Sequence, residues 1–186
     1  VIRLEFAGQF NHYVDNFIPD SVTHLTFGYN FDREIKNLPS SIKYLTFGSY
    51  FNRSLTFLRE GIKHLTLGNN FNKPIYNHIP ATVTHLIFGT HFNQPITGSI
   101  PSSVTYLEFG MWFDKSIDGC IPPSVTHIAF GIQFDQRITN TLPASVTNIL
   151  LSKCYRHKIN IGQNINIFKV DRSEWHDKLR IFKNYF

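Results

Sequence analysis

The sequence predicts a mainly β fold: a right-handed solenoid of about eight coils of 20–21 residues, carrying one parallel β-sheet and closed by a C-terminal helical cap. Three observations predict it. A landmark phenylalanine recurs at Phe10, Phe31, Phe51, Phe71, Phe92, Phe113 and Phe134, with Tyr155 in the eighth place. Each unit holds one run of alternating apolar and polar residues rich in β-branched side chains, such as "SVTHLTFG" or "SSVTYLEFG", the pattern of a half-buried strand. Beyond residue 159 the repeat stops and the apolar spacing becomes helical. Self-similarity at such a period marks a stacked array.

Each unit follows one order. The landmark phenylalanine is followed by Asn or Asp, from Asn11 to Asp135, and four residues after the ring stands an aliphatic residue, from Val14 to Ile138. An apolar-Pro step comes next, as in Ile18-Pro19 and Ile100-Pro101; the third unit departs, with Arg59 where proline is expected. The strand closes the unit. So short a strand, bounded by two turns, cannot bury its own apolar face, so the coils must stack. At roughly 4.8 Å between parallel strands, eight coils make a slab about 40 Å long.

Two inward columns build the core. One runs Leu4, Leu25, Leu45, Leu65, Leu86, Leu107, Ile128 and Ile149, and the next Phe6, Phe27, Phe47, Leu67, Phe88, Phe109, Phe130 and Leu151. Thirteen of the 18 phenylalanines fall in the second column or the landmark column, so the high Phe content belongs to packing. The glycine after the strand, from Gly28 to Gly131, suits a bend or positive φ and leaves room where the chain turns. The Asn/Asp column reads as side-chain oxygens bonding turn amides. It offers too few carboxylates per turn for a calcium array.

Charge and composition exclude several classes. The formal charge of +5 resides wholly in residues 153–186, while residues 1–152 carry ten basic and ten acidic side chains. The repeat body is therefore neutral, which argues against nucleic acid as partner. No apolar run reaches the roughly 18 residues of a membrane span, and no signal peptide opens the chain. Cys120 and Cys154 occupy different phases of the repeat and are not expected to pair; a reducing, cytoplasmic setting follows, with a virus particle as the alternative location. The first residue, Val1, falls within a repeat, as in a fragment or processed chain.

The units closely resemble the FNIP repeat, whose Phe-Asn, Ile and Pro landmarks stand in "FNKPIYNHIPATVTHLIFG" and "FNQPITGSIPSSVTYLEFG". The resemblance covers about residues 1–159. FNIP repeats are themselves similar to leucine-rich repeats, and "VTHLTFGYN" fits the leucine-rich spacing at Val22, Leu25, Phe27 and Asn30. The resemblance implies a leucine-rich-repeat-like solenoid used for protein binding. Such repeats are known mainly from social amoebae and giant viruses, often behind an F-box that recruits a ubiquitin ligase. No F-box stands within this sequence.

Candidate binding residues lie on the outward positions. One column runs His24, Tyr44, His64, His85, Tyr106, His127 and Asn148; its neighbour runs Thr26, Thr46, Thr66, Ile87, Glu108, Ala129 and Leu150 and loses its threonine regularity. The two positions before each landmark phenylalanine also vary, and Met111-Trp112 stands out there because Trp is favoured at interface hot spots. The expected partner-binding set is His64, His85, Tyr106, Glu108, Met111, Trp112 and His127, acting on a protein partner. No catalytic constellation, nucleophile motif, metal site or cofactor is expected, and no small-molecule substrate or membrane. Two stacked histidines lack the third ligand and the carboxylate that would fix a metal.

Residues 160–186 are expected to form a last coil and the cap. A strand-like run spans Ile165 to Val170; Trp175, Leu179, Phe182 and Phe186 then share one helix face, with Asp171 and Glu174 at its start. The helix is expected to cover the open end of the core and its unpaired strand edge.

Overall fold

The computed structural model describes residues 1–138, 142–159 and 165–183. Among them, nine strands form a single parallel sheet in strict sequence order. They are β1 (Ile2–Glu5), β2 (Val22–Thr26), β3 (Tyr44–Thr46), β4 (His64–Thr66), β5 (His85–Ile87), β6 (Tyr106–Glu108), β7 (His127–Ala129), β8 (Asn148–Ser152) and β9 (Asn166–Val170). The register keeps each column intact, pairing His24 with Tyr44, His64 with His85, and Tyr106 with His127. Each coil therefore adds one rung of a leucine-rich-repeat-like solenoid.

The inward side chains make one continuous core. Leu25, Leu45, Leu65, Leu86 and Leu107 are all buried, as are the landmark phenylalanines from Phe31 to Phe134. Within a coil the two aromatic columns touch: Phe27 and Phe31 stack at 4.0 Å, Phe88 and Phe92 at 4.0 Å, Phe109 and Phe113 at 3.9 Å. Between coils the landmark rings stack at 6.1–6.3 Å, from Phe31 through to Tyr155. Fully burying rings of this size contributes roughly 2–3 kcal/mol each.

Polar ladders clamp the coils together. The side-chain oxygen of each landmark Asn or Asp accepts the amide of its equivalent in the next coil: Asn72 from Asn93 at 2.9 Å, Asn93 from Asp114 at 3.0 Å, Asp114 from Asp135 at 3.0 Å. The bond thus joins two coils, where sequence reasoning expected it within one turn. A second ladder runs from Ser103 to the Val83 carbonyl (2.6 Å), Ser124 to Val104 (2.7 Å) and Ser145 to Val125 (2.7 Å).

The glycine column also has a reason other than positive φ. Left-handed glycines occur elsewhere, at Gly61, Gly98 and Gly119. At Gly110 a β-carbon would stand 1.8 Å from the Gly89 carbonyl oxygen, and at Gly89 2.0 Å from that of Gly68. Successive coils meet backbone to backbone here, and no side chain fits between them.

The C-terminal helix, α1 (Trp175–Lys183), follows a 3-10 turn at Arg172–Glu174. Its buried side chains face the outer side of the sheet. Trp175 and Phe182 pack with Val170 against Tyr106, Ala129 and Leu150, and Ile87, Ile132, Phe168 and Leu179 border the cluster. The inward positions of the last rung stay open, with Ile167 39% exposed and Lys169 exposed. The helix therefore shields the outer face of the final rungs, whereas the sequence pattern suggested the end of the core. Phe186, assigned to the same helix face, lies outside the described residues.

Candidate functional site: the outer face of the sheet

The outward columns divide into two halves. From β2 to β4 the second column is Thr26, Thr46 and Thr66, and the first is a stack of rings: His24 on Tyr44 at 4.0 Å, Tyr44 on His64 at 4.4 Å, His64 on His85 at 4.1 Å. In-register parallel strands hold identical positions about 4.8 Å apart, so flat rings at consecutive rungs stack without adjustment. Tyr44 is 40% exposed, and no described segment covers this half. From β5 onward the second column is Ile87, Glu108, Ala129 and Leu150, apolar except for Glu108, and α1 packs over it.

This division redistributes the expected binding residues. Tyr106 and Glu108 point outward as expected but are buried, 3% and 6% exposed, beneath α1, so they are not free surface. The Tyr106 hydroxyl donates to Glu108 Oε2 at 2.8 Å. Burial, reinforced by the Glu108 carboxylate, pushes the Tyr106 phenol well above its ordinary range. The Phe182 ring meets His127 edge-on at 6.1 Å and Tyr106 at 6.2 Å, so His127 also belongs to the helix seat. Met111 is half-buried one rung before Ile132, which borders the same cluster. His64 and His85 stay half-exposed on the uncovered half. Trp112 is 49% exposed on the strand-exit edge, stacked on His91 at 6.4 Å.

Hydrogen-bond accounting assigns the histidine tautomers. The hydroxyls of Thr23, Thr84 and Thr126 donate to the carbonyls of Ile2 (3.2 Å), Lys63 (3.2 Å) and Thr105 (3.2 Å). Each hydroxyl has one hydrogen, so its oxygen accepts from the neighbouring ring Nδ1–H, at 3.0 Å in His24, 3.0 Å in His85 and 2.8 Å in His127. Nε2 then carries the lone pair. At His127 it accepts from Asn148 Nδ2 at 2.6 Å, as this tautomer requires. Burial, in the ring stack for His64 and beside Phe182 for His127, holds both down at about 4, with His85 and then His24 adding repulsion at His64 and His85 adding it at His127. Burial also lowers His85. On the uncovered half, His24 and His85 are thus neutral rings whose Nε2 can accept a hydrogen bond.

Among the described residues, no cluster of three or more His, Cys, Asp or Glu side chains could hold a metal, and no helix is long and apolar enough to cross a membrane. Recesses lie on the turns, lined in one case by Val14, Ile18, Asp20 and Leu38, and in another by Asp114, Gln133, Asp135 and Arg156.

A stacked-coil solenoid presenting one continuous ladder of side chains is the architecture typical of protein-interaction modules. The chain belongs to the FNIP repeat family, whose model matches residues 10–50, 31–59, 51–91, 76–112, 92–133 and 113–154. Among solved structures it is similar to CroV588, a circular leucine-rich-repeat protein of a giant virus, at 33% identity and a TM-score of 0.80. That similarity covers 90% of this chain and 27% of the viral one, so the chain spans about a quarter of that protein's length. No curated protein matches the sequence.

Proposed function

We propose that this solenoid is a non-enzymatic module that binds a protein partner through the uncovered half of its outer sheet face, centred on Tyr44, His64 and His85. One observation carries the reading: the chain buries the more apolar half of this face under its own helix and leaves an ordered ring ladder open beside it. Trp112 adds an exposed aromatic anchor on the adjoining edge. If an F-box accompanies these repeats in a longer protein, this face would select the substrate of a ubiquitin ligase. The likeness to a giant-virus protein supports a second reading, in which the same face makes a permanent contact within a virus particle. The site is cytoplasmic in the first reading and within the particle in the second.

Quantitative affinity purification tests the proposal, comparing wild type with a His64→Ala/His85→Ala double variant and with Trp112→Ala, each first shown to keep its thermal transition. Loss of the same partner from the double variant supports the reading. An unchanged partner set in both variants would sink it. Purification in fixed stoichiometry with particles would favour the structural role over the adaptor role.

A further inference from the structure

The chain already displays one occupant of its outer face, and that occupant reveals which chemistry the ladder accepts. Phe182 of α1 lays its ring across the column, edge-on to His127 at 6.1 Å and tilted against Tyr106 at 6.2 Å, while Trp175 completes the buried contact. α1 is nine residues long, about 13 Å, which is the scale of three rung steps of ~4.8 Å.

The uncovered half continues the same surface. From His24 through Tyr44 and His64 to His85 it offers four rings over three rung steps, at centroid spacings of 4.0, 4.4 and 4.1 Å. Two features set it apart from the covered half. Its second column is threonine, so the occupant needs less apolar area there than α1 has. The Nε2 atoms of His24 and His85 also carry lone pairs with no hydrogen-bond partner among the described residues, so an occupant that brings donors is favoured.

We propose that the His24–Tyr44–His64–His85 ladder is the seat for a short amphipathic helix of a partner protein, one that lays an aromatic ring across consecutive rungs as Phe182 does and offers N–H or O–H donors to the outward imidazole nitrogens. The proposal rests on the protein-binding reading above and specifies the shape and chemistry of the partner. The occupant is about nine to twelve residues long. Its aromatic residue sits centrally, and Trp suits the position because it combines ring and donor.

Selection from two displayed libraries tests this against the whole chain: amphipathic helices of 14 residues with one randomised face, and unstructured peptides of equal length. The expected result is enrichment of helices with a central aromatic residue, whose binding falls about tenfold or more in His64→Ala/His85→Ala, the scale of a hot-spot loss. Thr84→Val supplies a second variant that leaves every contacting ring in place. Without the Thr84 oxygen, His85 is free to move its proton to Nε2, which imidazole nitrogen-15 shifts would register, and the selected helices should weaken in step. Enrichment of unstructured peptides alone, sensitive to the double variant, would overturn the helix proposal and leave the binding face standing. Binders indifferent to the double variant, or no binders from either library, would overturn both.

Discussion

Replacing Phe182 with alanine should release α1 from the sheet without unfolding the solenoid. An isolated helix of nine residues is marginal in water, so α1 owes its order to its seat. Phe182 is 2% exposed and touches Tyr106, His127 and Phe168; truncating a ring buried to this degree costs about 3 kcal/mol or more, roughly a hundredfold shift from docked to released helix. The Phe-rich interior is a separate cluster that shares no buried residue with the seat, so its stacking should persist. Trp175, 5% exposed when docked, is the reporter. In a Trp112→Phe background its emission should move to the red on Phe182→Ala, and the amides of α1 should lose exchange protection while the main thermal transition shifts little. A blue, protected Trp175 in the variant would show that the helix does not depend on this contact, and the two-halves account of the face would fall with it.

Other consequences follow from the coil contacts. Gly110→Ala places a β-carbon 1.8 Å from the Gly89 oxygen, so adjoining backbones must part by more than 1 Å; a loss of about 3 kcal/mol should lower Tm by roughly 10 °C. Asn72→Ala removes the acceptor for the Asn93 amide and should cost about 1 kcal/mol, whereas Asn72→Asp, which keeps the oxygen, should be nearly neutral; denaturant midpoints distinguish them. His64 and His127 are held near 4 in the fold and return to about 6.5 on unfolding, so the unfolded chain binds more protons between these values. Their contribution is therefore intact above pH 6.5, declines as pH falls toward 4, and levels off below. Discounted for partial exposure it is about 1 kcal/mol each, and a His64→Gln/His127→Gln variant should show a flatter stability profile across that window.

The inward columns were legible because every coil repeats the same demand. Leu25 and Phe27 recur as Leu86 and Phe88 and as Leu107 and Phe109, and a stacked parallel sheet is the arrangement that satisfies them together. Contacts between equivalent residues were harder to read. The Asn72 oxygen reaches the Asn93 amide, a partner one full coil away, and no short-range spacing distinguishes that bond from an Asx turn. Likewise Gly110 is required by the Gly89 backbone, not by its own φ. The helix face of Trp175, Leu179 and Phe182 was plain in the sequence, but its destination was a tertiary matter. A signal did exist. The outward column turns from Thr26, Thr46 and Thr66 to Ile87, Glu108, Ala129 and Leu150, and one coil later Thr90 gives way to Met111 and then Ile132. Apolar residues replacing polar ones in two adjacent outward columns require a cover, and the only unassigned apolar helix face in the sequence was the C-terminal one.

This reading separates two kinds of irregularity that look alike in sequence. Glu108 and Tyr106 break the outward pattern because they are enclosed together, hydroxyl bonded to carboxylate, under the chain's own helix. His64 and His85 interrupt nothing, yet they lie where the face is open and where the hydroxyl before His85 orients its ring. At Tyr106 and Glu108, departure from the repeat therefore marks where the molecule packs on its own helix, while the regular ring ladder and the exposed Trp112 remain uncovered. Substitutions should sort accordingly: those at Tyr106, Ala129 and Leu150 should act through helix docking, and those at Tyr44, His64 and His85 should act on partner affinity with α1 still in place.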